Sequence, residues 1–231
     1  MLSHGMSLSL GALGLAVFLL APAADGAQGG EEGELSKAQM LLFRTPHLDS
    51  IDHPVTLDYE YRREEEDGQG FVDTVAMNIS GIESDGGKDV NVKFLSGSRE
   101  KSFGEFSGFR GNPVIMVFLE DDVQRMGEKF GGGSIYMRNK IRYSFYDGAT
   151  IEPVSFQLDG RRIDGTKVTV APFVGDKNRD RLGAYERKVY EFVVSPDVPG
   201  EIYRIRSYVP SASLAGKPVI EDTLTYKRTE S

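Results

Sequence analysis

The stretch GNPVIMVFLEDDVQRMGEKFGGGS, Gly111 to Ser134, decides how the rest of the chain is read. Asn112 is a residue type that caps helices, and Pro113 suits the first helical position, where a missing N–H costs nothing. Met116, Leu119, Val123, Met126 and Phe130 then recur at helical spacing, and Gly131 suits the residue just past a helix end. The pattern predicts a helix over residues 113–130. Its first two turns, Val114 to Leu119, are apolar on every side, as in a helix covered from more than one direction. Its second half is amphipathic, so the front is expected to be engulfed and the rear to face water. Glu120, Asp121 and Asp122 read as a solvated run. Neighbouring residues on a helix point about 100° apart, so the three cannot form one acid–base pair. One of them is expected to meet Arg138 or Arg142 on the following segment.

Upstream of this helix the period changes to two. VTLDYEYR (55–62), FVDTVAMNI (71–79) and DVNVKFLSG (89–97) alternate apolar and polar residues and read as a three-stranded antiparallel meander. KSFGEFSGFRGNP reads as a glycine- and phenylalanine-rich connection to the helix. Downstream, Ser134 could cap a second, basic helix, IYMRNKIRYSF, with Tyr143–Tyr146 either its end or the start of a strand. TIEPVSFQLDG, KVTVAPF, RKVYEFVVSP, EIYRIRSYVP and VIEDTLTYKR then read as strands. Asp-Gly at 147–148, 159–160 and 164–165 and Pro-Gly at 199–200 are expected to mark reversals. The expected fold is mainly β with an α insertion (α+β). It is a large curved antiparallel sheet, half-barrel-like, with one or two central helices packed on its concave face.

The start of the chain differs from the rest. Leu8–Leu20 is nearly all apolar, small residues follow up to Ala27, and the first 27 residues hold one acid and no Lys or Arg. This is read as a signal peptide over residues 1–27, with an N-terminal membrane anchor as the alternative. A linker and N-terminal arm follow over 28–53, in which Ser36 could cap a short helix to Leu42, and then one β-rich domain over 54–231. The expected location is periplasmic or secreted. With no cysteine in the chain, disulfides, thiolate metal sites and a lipidated cysteine are excluded. The net charge of −8 repels phosphate backbones, so no nucleic-acid partner is expected.

Motifs for chemistry are weak. HLDSIDH (47–53) brings imidazole and carboxylate together, but in a loop and without the i, i+4 spacing of a helical metal pair, so turn chemistry is the reading and no metal is expected. Gly131–Gly133 precedes no Lys-Ser/Thr, so it reads as a helix stop and not as a phosphate loop. No serine stands in a G-x-S-x-G elbow. No catalytic residue and no cofactor are therefore assigned. Asn78-Ile79-Ser80 is a formal glycosylation sequon inside a predicted strand.

An apolar leader, a meander, a helix crossing the concave face and more meander together resemble the periplasmic lipoprotein-carrier (LolA-like) layout. The idiom of strand, Asp-Gly turn and strand in VKFLSG and SFQLDGRRIDGTKVTV is the local part of the likeness. The resemblance implies a non-enzymatic carrier or sensor of an acyl chain or other apolar ligand. The residues point the same way. Ile115, Met116, Phe118, Leu119, Val123, Phe106 and Phe109 are the expected apolar lining, and Arg138 and Arg142 the expected seat of an anionic head group. The alternative is a structural or interaction subunit of a cell-envelope complex, with a protein partner and no small ligand.

Overall fold

The structure, a computed structural model, describes residues 34–131, 133–212 and 216–230. The expected leader (1–27), residues 28–33 of the spacer and Gly132 lie outside the described residues. Nine strands form one antiparallel sheet: β1 (Val55–Glu65), β2 (Phe71–Ile82), β3 (Lys88–Phe94), β4 (Lys101–Phe109), β5 (Thr150–Leu158), β6 (Arg161–Val170), β7 (Val189–Val194), β8 (Ile202–Val209) and β9 (Ile220–Glu230). Their order is β4-β3-β2-β1-β9-β8-β7-β6-β5, so the first and last strands meet in the middle. Between β4 and β5 the chain leaves the sheet as α2 (Val114–Phe130) and α3 (Ser134–Tyr146). An N-terminal arm precedes β1: a short helix α1 (Lys37–Gln39), capped reciprocally by Ser36 and Gln39, runs into a π-helical turn, Met40–Arg44. A short helix α4 (Arg179–Leu182) and a 3₁₀ turn (Gly183–Arg187) join β6 to β7.

The alternation in sequence becomes a two-faced sheet. On β1, Val55, Leu57, Tyr59 and Tyr61 are buried, while Thr56, Asp58 and Glu60 lie on the other side, partly exposed. The inner face also takes Val75 and Met77 of β2, Val90 and Val92 of β3, Val168 of β6, Phe192 of β7, Ile205 of β8 and Leu224 of β9, all 2% exposed or less. Laid flat, nine strands at about 4.8 Å spacing would span about 38 Å, roughly twice the width of two helices side by side. Strands from β3 to β7 nonetheless share one core cluster with α2 and α3. The sheet therefore bends its inner face around the helices. Ala38, Leu42, Leu48 and Ile51 of the N-terminal arm close the same core.

Two details depart from the sequence reading. The connection after β3 is a strand, β4, and the meander has four members. Phe103, Phe106 and Phe109 recur every three residues, which breaks the strand period. The ladder to β3 shifts register twice, and Gly104 and Gly108 stand at φ +81° and +62°. Each extra residue is taken up as a bulge, for which glycine supplies the left-handed backbone. Asp164-Gly165 is not a reversal but lies inside β6. A Cβ at Gly165 would meet the Val194 carbonyl oxygen at 2.7 Å and the Phe156 ring at 3.0 Å, so the glycine admits β7. The reversal falls at Asp159-Gly160, both with positive φ.

Candidate functional site

The N-terminus of α2 is locked before the helix begins. The Asn112 side-chain oxygen accepts from the Val114 N–H at 3.0 Å, and its amide donates to the Gly200 carbonyl at 2.8 Å and to the Tyr59 hydroxyl at 3.2 Å. The backbone N–H of Asn112 donates to His47 Nδ1 at 3.3 Å, and His47 Nε2 bonds the Leu41 carbonyl at 3.0 Å. These bonds set the His47 tautomer with its proton on Nε2. Burial lowers the His47 pKa, against the raising effect of its bond to Leu41. A proton added at Nδ1 would face the Asn112 N–H and push the arm off the helix start. The folded pKa lies below the unfolded value of about 6.5, so this contribution is present above that value and is lost as pH falls through the interval between the two. Unfolding free energies from urea titrations between pH 7.5 and 5.5 should fall with a slope of up to about 1.4 kcal/mol per pH unit. In His47→Gln that slope should be largely absent.

From that anchor α2 runs under the sheet with Val114 through Leu119, then Val123, all 2% exposed or less. The next residues depart from the expected solvated face. Glu120, Asp121 and Asp122 are 4%, 1% and 2% exposed. Because they point three ways, each finds a different partner. Glu120 turns to α3 and takes Arg138 through paired bonds of 2.7 and 3.1 Å. Asp121 turns to the β4 side and meets Lys101 at 2.6 Å and Arg125 at 2.7 Å. Asp122 turns to the far half of the sheet. It accepts from Lys188 at 2.8 Å and from the Tyr190 hydroxyl at 2.5 Å, with Arg125 at 3.2 Å.

The seam continues to β9. Arg125 also reaches Asp222 at 2.8 Å and donates to the Tyr61 hydroxyl at 2.8 Å, which in turn donates to Asp222 at 2.6 Å. Burial alone would raise the Asp122 carboxyl, but Lys188 and Arg125 outweigh it and hold the pKa at about 2. Burial, and then the neighbouring carboxylates Asp222 and Asp122, push the Tyr61 and Tyr190 hydroxyls up. The two hydroxyls keep their protons and donate them to Asp222 and Asp122 across the middle of the fold.

Of the clefts that border this core among the described residues, the two larger ones flank α2 and the N-terminal arm. A cleft of about 530 Å³ opens beside the second half of α2 and is lined by Arg63, Arg125, Met126, Lys129, Tyr185 and Lys188, among others. Its cations are largely spent on the seam: Arg63 is paired with Glu65 and Asp222, Arg125 with three aspartates and Lys188 with Asp122. A groove of about 440 Å³ lies between the N-terminal arm and the β5–β6 hairpin. Its walls are Met40, Leu41, Ile151 and Pro153, with Lys37 and Glu152 at the rim. Ile151 pairs with Val168 in register, and Leu41 and Ile151 pack against the core cluster, so the groove floor is continuous with the core.

The sequence-derived site residues fall as follows. Ile115, Phe118, Leu119 and Val123 sit in the core cluster, Met116 is buried beside them, and neither cleft is lined by any of these five. Phe106 packs against the cluster from β4, with its ring 5.5 Å from that of Phe109. Arg138 is buried on Glu120, and Arg142 is partly exposed on α3. His47 is buried against Asn112 while His53 pairs with Asp52 at the surface, which separates the two histidines of HLDSIDH. Among the described residues no group of three or more His, Asp or Glu could hold a metal ion, and no helix is long and apolar enough to cross a membrane. The sequence reading missed Lys188 and Asp222. A usable signal was present for the second: Ile220, Asp222, Leu224 and Tyr226 share one strand face, and an acid on an apolar face needs a buried partner.

No protein family and no curated protein matches the chain. Among solved structures it is similar to lipoprotein LppX of Mycobacterium tuberculosis, with 12% identity and a TM-score of 0.34, over 84% of this chain and 96% of that one. It is also similar to a LolA superfamily protein of Nitrosomonas europaea, with 11% identity and a TM-score of 0.22, over 84% and 92% of the two chains. Likenesses at this level are of layout, a large antiparallel sheet with helices on one face, and bear on neither ligand nor partner.

Proposed function

We propose that this chain is an exported carrier or sensor, rather than a catalyst, that takes an apolar or lipid-like ligand against the concave face of its sheet. The observation that supports this most is the groove between the N-terminal arm and β5–β6, whose apolar floor runs into the core. The larger cleft is less suited to an apolar guest, because its walls carry charges already committed to one another. A chain-like ligand would lie first along Met40, Leu41, Ile151 and Pro153. Ile115, Met116, Phe118, Leu119, Val123, Phe106 and Phe109 would extend that lining once the arm and α2 part from the sheet. To part, the arm would have to give up the core contacts of Ala38, Leu42, Leu48 and Ile51. It contains a π turn, and its start is held by the Ser36 hydroxyl on the Phe145 carbonyl and by the edge-on rings of Phe43 and Phe145. An anionic head group on Arg138 would have to take the place of Glu120; Arg142 lies one turn further along α3.

The test is extraction of the purified protein with organic solvent followed by mass spectrometry, together with uptake of a fluorescent fatty acid. Recovery of lipid and saturable uptake are expected. Ile151→Glu places a carboxylate in the apolar groove and should weaken uptake more than about tenfold, with little change in the urea midpoint because Ile151 is not fully buried. Repeated absence of lipid together with no uptake would remove the reading. A second reading, an envelope-complex subunit, is favoured by the outer edges of β4 and β5, which pair with no strand among the described residues. It would show as one stoichiometric protein partner recovered without lipid.

A further inference from the structure

The outward face of α3 is not what a water-facing helix of an acidic protein should present. Met137, Ile141 and Phe145 point into the core, yet Ile135, Tyr143 and Tyr146 on the opposite face are 67%, 62% and 51% exposed. The spacing of Ile135, Asn139, Tyr143 and Tyr146 puts all four on one side of the helix. The N-terminal arm lies against the end of α3 through the bond from Ser36 to Phe145 and adds Leu35 and Met40, 40% and 49% exposed. Charge is arranged the same way. The chain carries −8 overall, but residues 35–48 and 129–146 contain no Asp or Glu. Arg138 is taken up by Glu120 and Lys140 by Asp176. Lys37 and Arg44 are exposed and have no carboxylate partner among the described residues.

We propose that the outer face of α3, with the adjoining arm, docks on an anionic lipid bilayer surface. Tyrosine, isoleucine and methionine can enter the headgroup layer while the tyrosine hydroxyls and the neighbouring cations stay at its border. The charge distribution also sets the orientation. Anionic lipid would repel most of this acidic protein, while the acid-free stretches leave one face that can approach. A second copy of the chain is the less favoured occupant, since two such faces would bring like charges together. The inference does not depend on a ligand in the groove.

The experiment is co-sedimentation of the full chain with vesicles of phosphatidylcholine alone or with about one-third phosphatidylglycerol, at low and high salt. Binding should require the anionic lipid and weaken with salt. The leader holds no Lys or Arg, and any charge it carries is common to every variant, so a loss of that dependence in Arg44→Glu is not its doing. Arg44→Glu, and separately Ile135→Ser with Tyr143→Ser, should each lower partitioning about tenfold. Val72→Ser, at an exposed residue of β2 remote from α3 in the sheet order, should leave it unchanged. Fatty-acid uptake measured on the same variants should persist, which separates this proposal from the ligand reading. Binding indifferent to anionic lipid, or unaffected by both sets of substitutions, would overturn it. So would a concentration-dependent dimer abolished by Ile135→Ser with Tyr143→Ser in a chain that ignores vesicles.

Discussion

Asp122→Ala should destabilise the fold by about 3–5 kcal/mol, the cost of leaving a buried charge without its partner. The stranded group is Lys188, 1% exposed, whose remaining neighbours are the rings of Tyr185 and Tyr190, with its ammonium 5.5 and 5.4 Å from their centroids. The Tyr190 hydroxyl loses its acceptor in the same step. Arg125 keeps Asp121 and Asp222, so the damage is confined to the far half of the seam. Urea denaturation reads the loss. Removing both charges, as Asp122→Leu with Lys188→Met, should cost much less than the single change, because desolvation of the pair is relieved together. A double variant as unstable as the single one would mean that Lys188 is not held by Asp122. The same pair sets an acid limit. The Asp122 pKa lies at about 2 in the fold, below the unfolded value of about 3.9. Its stabilisation is therefore complete above the unfolded value and is lost as pH falls from there towards the folded one.

Phe118→Ala should cost about 3–5 kcal/mol, the range for deleting a buried aromatic side chain. Phe118 is 1% exposed, and its ring lies 6.4 Å from that of Tyr61, which itself belongs to the ionic seam. The change therefore removes apolar contact and loosens the hydroxyl that links Arg125 to Asp222. The space left under α2 would be apolar and dry, of the kind that accepts small apolar guests. Benzene should then raise the melting temperature of the variant more than that of the parent chain. A variant as stable as the parent would show that α2 does not press on the sheet at this point.

The helix at 113–130 was legible because its signals agree: a cap, a proline at the first turn, a stripe in phase over four turns and a glycine at the end. The strands that alternate strictly were legible for the same reason. β4 was not, because two bulges turn a period of two into a period of three, and bulges are set by the partner strand. The three acids of α2 were misread as solvated because nothing local distinguishes a buried aspartate from an exposed one. What buries Asp122 is Lys188, 66 positions later, and no pattern within the helix announces it. Arg138 was foreseen as a partner for this run, since it sits on the next helix, where the sequence places it within reach. The groove was not foreseen at all. It is made by an arm and an edge hairpin that meet only in three dimensions.

The first and last strands are neighbours in the sheet, and the Tyr61 hydroxyl closes on Asp222 across 161 positions. Contacts so distant along the chain are slow to form, because loop-closure entropy must be spent before they give anything back. A polypeptide that emerges amino end first holds β1 with one side bare, and Arg125 without its third carboxylate, until Ile220–Glu230 arrives. Refolding should therefore be limited by that final closure. Substitutions along the β1–β9 border should slow the folding rate, whereas changes in the β5–β6 hairpin should mainly speed unfolding.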